Sequence, residues 1–223
     1  MYPLCVLNLP CIGRQTLQRL PSAASMFSLP PNIRGLVFDC DGTIVDTMPQ
    51  HYLAWVEMLG EYGHELDEQL LYSFAGVPTT TIIEILNDRY GYHVHPVQQA
   101  ADRKESLFVR LIPQCKAIPA VTRIIHQYTG KLPMAVATGG NRLLCCKTLE
   151  AVDLLQHFPV LVTCDDVKHG KPAPDIFLEA ARRIGVQPEH CCAFEDGDMG
   201  IQAARAAGMM VVDVRKFAQP VAV

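Results

Sequence analysis

The sequence predicts an α/β fold: a doubly wound, Rossmann-like parallel sheet with a small all-helical unit inserted after the first strand. Two observations carry this. Five short apolar, β-branched runs alternate with segments of helical apolar spacing, the pattern of parallel strands joined by crossover helices. Residues 48–115 break that rhythm with helical patterning alone.

Taken in order, IRGLVFD (33–39) is a buried strand closing on an acid. HYLAWVEMLGEYG, TTTIIEILNDRYG and VQQAADRKESLFVRLI then read as helices, and the sheet resumes near residue 131. Further strands are expected at LPMAVAT (132–138), FPVLVT (158–163), HCCAFED (190–196) and MMVVDV (209–214). Helical spacing marks PAVTRIIHQYT (119–129), RLLCCKTLEAVDLL (142–155), PDIFLEAARRIG (174–185) and MGIQAARAAG (199–208). Gly130, Gly185 and Gly208 stand where helices stop. The expected division is a leader over 1–31, a core domain over 32–47 and 116–223, and a helical cap over 48–115. The leader lacks acid, carries Arg14 and Arg19 and is broken by five prolines. It reads as a disordered segment, with an organelle-targeting segment as the alternative.

The chain of 223 residues has net charge −4, but residues 1–38 hold three Arg and no acid, so residues 39–223 carry −7. So acidic a body argues against nucleic acid or an anionic membrane as partner. No apolar run approaches the roughly 20 residues of a bilayer span. Nine cysteines without C-x-x-C spacing, mostly among aliphatic residues, point to free thiols and a cytoplasmic setting. A monomer is the default expectation.

In an open parallel sheet, ligands bind beyond the carboxyl ends of the strands, and four such ends carry polar clusters. Asp39-Cys40-Asp41-Gly42-Thr43 closes the first. Side chains two apart on an extended segment share a face, so Asp39 and Asp41 are expected to converge, which favours a bound cation or a retained proton. An isolated D-x-D is equally an acidic turn before a helix. Thr138, Gly139 and Gly140 follow another strand, where a hydroxyl and open amides suit phosphate or merely a turn. Lys171 lies in HGKPAPDIF, and any single lysine is ordinarily a surface residue. Glu195 and Asp196 close the strand in AFEDGDMGIQAARAAG, and Asp198 reads as a helix cap.

The strings VFDCDGTIVDT, AVATGGN, HGKPAPDIF and AFEDGDMG together resemble the four motifs of the haloacid dehalogenase superfamily of phosphohydrolases, over residues 33–215. The resemblance implies that Asp39 is a nucleophile forming an aspartyl-phosphate and Asp41 the general acid/base. It implies Thr138 as the phosphate-binding hydroxyl and Lys171 as the stabiliser of developing charge. Mg²⁺ is implied as cofactor, held by Asp39, Glu195, Asp196 and a backbone carbonyl at Asp41. Oxygen-only ligands suit that hard cation. The second Asp of the first motif separates the chain from the superfamily's dehalogenases and transport ATPases.

The helical insertion resembles the cap of the β-phosphoglucomutase-like group. Matching by position, His51 and Trp55 fall behind the first motif, Gly76 and Val77 in the cap's substrate loop, and Lys104 where a phosphate- or sugar-contacting lysine often lies. Trp55 also suits plain core packing, His51 a polar neighbour, and Lys104 a solvated face. The mutase branch has an arginine after that glycine; here GVPTTTI places Thr79 there. Losing a bidentate phosphate fork weakens a mutase. The expectation is a Mg²⁺-dependent phosphatase of a small sugar phosphate, similar to the fructose-1-phosphatase-like members. A phosphomutase and a catalytically inactive binding protein of the same fold are the alternatives.

Overall fold

The computed structural model describes residues 27–74 and 76–217. Strand β1 is Gly35–Phe38, and a two-residue strand β2, Val45–Asp46, follows the turn after it. Four helices come next: α1 (Met48–Glu61), α2 (Glu68–Ser73), α3 (Thr79–Tyr90) and α4 (Val97–Leu111). Strand β3 (Lys116–Ala117) pairs antiparallel with β2, so a two-stranded ribbon closes the base of the insertion. The remainder runs α5 (Pro119–Tyr128), β4 (Met134–Ala137), α6 (Arg142–Ala151), β5 (Val160–Val162), α7 (Asp175–Ile184), β6 (Cys191–Glu195), α8 (Asp198–Ala206) and β7 (Met210–Asp213).

All five expected strands form one parallel sheet in the order β5-β4-β1-β6-β7. From central β1 the chain builds outward through β4 and β5, then crosses back to β6 and β7. That reversal puts a crevice at the carboxyl end of β1. Alternation along β1 feeds two separate cores. Leu36 and Phe38 join Ile124, Ile125 and Leu149 of α5 and α6 on one face. Val37 joins Phe177, Ala180, Ala203 and Ala204 of α7 and α8 on the other. The alanines let those two helices lie close to the sheet, and Phe38 stacks on Phe194 at 4.5 Å.

Three expectations change. Helix α6 stops at Ala151 rather than reaching residue 155, because Asp153 turns the chain with φ 55°. Helix α2 and the β2–β3 ribbon carry too few residues to show a period. Phe27 and Leu29, assigned to the leader, pack against the core; residues 1–26 of that leader lie outside the described residues. The seven cysteines described are free thiols, and no described helix is long and apolar enough to cross a membrane.

Candidate active site

The centre of the crevice is Lys171, whose Nζ donates to Asp39 Oδ1 and to Glu195 Oε1, both at 2.6 Å. Asp39 comes from the end of β1 and Glu195 from the end of neighbouring β6. The register pairs Phe38 with Phe194, setting the two acids side by side. The Lys171 side chain is 5% exposed and its Nζ lies 5.2 Å over the Phe177 ring. Burial works to lower its pKa, but Asp39 and Glu195 reverse this and hold the ammonium firmly charged. The opposite strain falls on the acids. Burial raises the Asp39 carboxyl well above the usual range, and Glu195, Asp196 and Asp41 add to it against Lys171. Burial also pushes Asp196 up to about 6. Such a crowd of acids is what a divalent cation relieves.

Among the described residues, Asp39, Glu195 and Asp196 each offer an oxygen within 4.8 Å of the others. Three carboxylates on one spot, with no His or Cys among them, fit a hard cation such as Mg²⁺. Thr43 Oγ1 donates to Asp196 Oδ1 at 2.7 Å, and the Gly197 amide donates to Glu195 Oε2 at 2.7 Å. The side chain of Asp41 stands outside this trio, although it lines the same crevice as Asp39. Extended geometry ends at Phe38. The chain then turns back on itself, with the Thr43, Ile44 and Val45 amides reaching the Cys40 carbonyl and Gly42 at φ 82°.

Asp41 instead faces the helical insertion. It accepts a hydrogen bond from Thr47 Oγ1 at 2.8 Å, and His51 Nε2 lies 3.7 Å from its Oδ1. Thr138 Oγ1 is 3.5 Å from Oδ2 and also accepts from the Gly140 amide at 3.1 Å. Burial works to raise Asp41, but His51, Thr47 and Lys104 outweigh it and hold the carboxyl below its ordinary range. Asn141 caps α6, accepting from the Leu144 amide at 2.9 Å, and Asp165 Oδ2 accepts from the Arg142 amide at 3.0 Å, so the Thr138-Gly139-Gly140 loop leads into a helix whose first-turn amides are largely engaged.

The insertion contributes a second buried cation. Lys104 is 3% exposed; its Nζ lies 2.9 Å from His51 Nδ1 and sits over the Trp55 and Phe108 rings. The solvated-face alternative for Lys104 is therefore excluded. Burial lowers both the Lys104 ammonium and the His51 imidazole, and Lys104 lowers His51 further. With Nδ1 accepting from Lys104, the neutral imidazole carries its proton on Nε2, toward Asp41. His51 also stacks on Phe108 at 3.7 Å, and Trp55 is packed in the core. Gly76 brings its carbonyl oxygen within 3.4 Å of where a Gly139 Cβ would stand, so the insertion's loop meets the phosphate-side loop. Between them lies a cavity of about 450 Å³ bounded by Asp39, Asp41, Thr138 and Lys171 below and His51 and Lys104 above.

Asp198 is not the cap of α8: Gly197 holds that position, and Asp198 reaches out to Arg215 Nη1 at 2.9 Å. Thr43 and Thr47 stood inside the first motif, but only the folded turn shows which acid each one serves. Glu105 was also unforeseen. It accepts from Thr79 Oγ1 at 2.6 Å, and no sequence pattern separated it from neighbouring surface acids.

A family model described as haloacid dehalogenase-like hydrolase matches residues 33–208. Fructose-1-phosphate phosphatase YqaB of Escherichia coli is 43% identical over 181 residues, covering 81% of this chain and 96% of its own. A phosphorylated carbohydrates phosphatase of Thermotoga maritima is 29% identical, covering 79% of this chain and 82% of its own. Among solved structures, a variant of CbbY from Rhodobacter sphaeroides in complex with xylulose-(1,5)bisphosphate superposes with a TM-score of 0.72. It is 25% identical and covers 80% of this chain and 84% of its own.

Proposed function

The chain belongs to the haloacid dehalogenase-like hydrolases, and from that premise we propose that it is a Mg²⁺-dependent phosphatase. Its substrate would be a small sugar phosphate or related monoester, of the kind named for the Escherichia coli relative. The observation that carries this is Lys171 bridging Asp39 and Glu195, with Asp196 beside them and Asp41 opposite. Asp39, Glu195 and Asp196, with the Asp41 backbone carbonyl that the family implies, would hold the cation. When bound, it supplies positive charge that neutralises these acids and the phosphate oxygens.

Asp39 attacks phosphorus in line: a bond forms from its carboxylate oxygen as the ester P–O bond breaks, leaving an aspartyl-phosphate. The leaving oxygen takes its proton from Asp41. That proton enters with the substrate, because a phosphate ester titrates near pH 6 and the resting Asp41 is held ionised. In the second half Asp41 takes a proton from water, which attacks phosphorus and frees Asp39 and inorganic phosphate. Thr138 and the Gly139 amide bind phosphate oxygens, the Gly140 amide orients the Thr138 hydroxyl, and Lys171 stabilises the charge that develops on those oxygens. The insertion covers the cavity and excludes bulk water during the first half.

Asp39→Asn tests this reading. Phosphate release measured with Mg²⁺ and with chelator should be metal-dependent in the parent and absent in the variant, whose circular dichroism stays unchanged. Unchanged turnover in the variant overturns the mechanism.

A further inference from the structure

Resting on the phosphatase reading, we propose that Glu105, pinned by Thr79, selects the substrate: it accepts hydroxyl groups of a monophosphorylated polyol or sugar and turns away a second phosphate. Both residues line the cavity from the insertion, Thr79 at the start of α3 and Glu105 on α4. Thr79 donates its hydroxyl proton to Glu105 Oε1 at 2.6 Å, and Lys104 Nζ lies 3.3 Å from the same oxygen. Glu105 Oε2 is buried, and no donor among the described residues reaches it. An ionised carboxylate only accepts, and Thr79 has spent its one donor, so this wall offers acceptors. The ligand groups it matches are donors, and on a phosphorylated carbohydrate those are hydroxyls.

The charges lining the cavity point the same way. Among the described residues, Lys104 and Lys171 are the lysines along it, and no arginine lines it. Both ammonium groups are engaged, Lys171 with Asp39 and Glu195 and Lys104 with His51 and Glu105. Asp102 also lines the insertion's side, accepting from Gln98 Nε2 at 2.9 Å. Among the described residues, a phosphate at that end would meet two carboxylates and no uncommitted cation, an arrangement that discriminates by repulsion as well as by attraction. The CbbY structure shows that this fold can hold a bisphosphate, so exclusion would come from side chains and not from the fold.

The experiment compares kcat/KM for fructose 1-phosphate and fructose 1,6-bisphosphate in the parent and in Glu105→Gln. Glutamine keeps the size and an acceptor for Thr79 while removing the charge. In the parent the monophosphate should be preferred at least tenfold. In Glu105→Gln the preference should shrink about tenfold, through a lower KM for the bisphosphate and a higher KM for the monophosphate, whose hydroxyls lose an acceptor. A parent that hydrolyses both esters equally well overturns the proposal without any variant. So does an unchanged preference in an active Glu105→Gln. If no phosphate is released from any ester with Mg²⁺ present, the phosphatase reading fails first, and this proposal falls with it.

Discussion

Glu195 is held from three sides, and one of them is an absence. Lys171 takes its Oε1, the Gly197 amide takes its Oε2, and Gly200 leaves room for the carboxylate itself. A Cβ at Gly200 would overlap Glu195 Oε1 and the carboxyl carbon. Gly200→Ala should therefore push Glu195 out of line with Asp39 and Asp196 and free one arm of Lys171. A loss of at least about 100-fold in kcat/KM is expected, on the scale of removing one preorganised electrostatic partner. Helix content should persist. Gly60→Ala is the matched control: nothing among the described residues lies within 4 Å of a Cβ on that exposed helical position. It should leave turnover unchanged and stabilise by about 0.5–1 kcal/mol. Steady-state kinetics and urea unfolding on both variants decide the matter, and a fully active Gly200→Ala would show that Glu195 has slack.

Among the elements, edge strand β5 depends on one acid. Asp166, in the turn after β5, accepts from the Thr163 amide at 2.9 Å, from Thr163 Oγ1 at 3.1 Å and from Arg183 at 2.9 Å, and pairs with Arg142 of α6. Burial works to raise its pKa, but the Thr163 amide, Arg183 and Arg142 bring it down to about 2 from 3.8. A carboxyl whose folded pKa lies below its unfolded value stabilises fully above the unfolded value and loses that contribution as pH falls through the folded one. The shift corresponds to about 2 kcal/mol at neutral pH, with about half gone by pH 3. Asp166→Asn should cost about that much in urea unfolding at pH 7, with a gap to the parent that narrows toward pH 3; a constant gap would assign the loss to packing. Strands were legible where burial on both faces made apolar runs. Helices were legible where they had three turns, which α2 lacks. Lys104 shows a subtler signal. It falls on the stripe Ala100, Ala101, Leu107 and Phe108 that α4 buries, so its register already placed it inward. The approach of Asp41 to Thr47 and His51 had no such trace, because alternation says nothing once a strand has ended.

For the molecule as a whole, the −7 on residues 39–223 takes on a local meaning. Asp39, Asp41, Glu195 and Asp196 place four acids around one crevice, with Lys171 as the cation set among them. The four motifs were readable because their residues sit at strand ends that the parallel order brings together. The start of the fold was not readable. Pro30 and Pro31 looked like the end of a leader, yet the core begins before them. Phe27 packs on Phe194 at 5.7 Å and Phe217 at 6.0 Å, its amide donates to Gln127 Oε1, and its carbonyl accepts from Gln127 and Tyr128. One aromatic residue before a proline pair has no period to betray it. Phe194 is also the residue before Glu195, so Phe27 buttresses the strand that carries a candidate metal ligand. A chain beginning at Met26 should keep the melting temperature and activity of the full chain. One beginning at Asn32 loses the Phe27 anchor, at a cost of about 2 kcal/mol, below that of a fully buried Phe. That is a fall of roughly 4–8 °C. Activity at 25 °C should survive, since no group of the crevice is removed. Differential scanning calorimetry of the two truncations checks this, and equal melting temperatures would mean that Phe27 merely rests on the core.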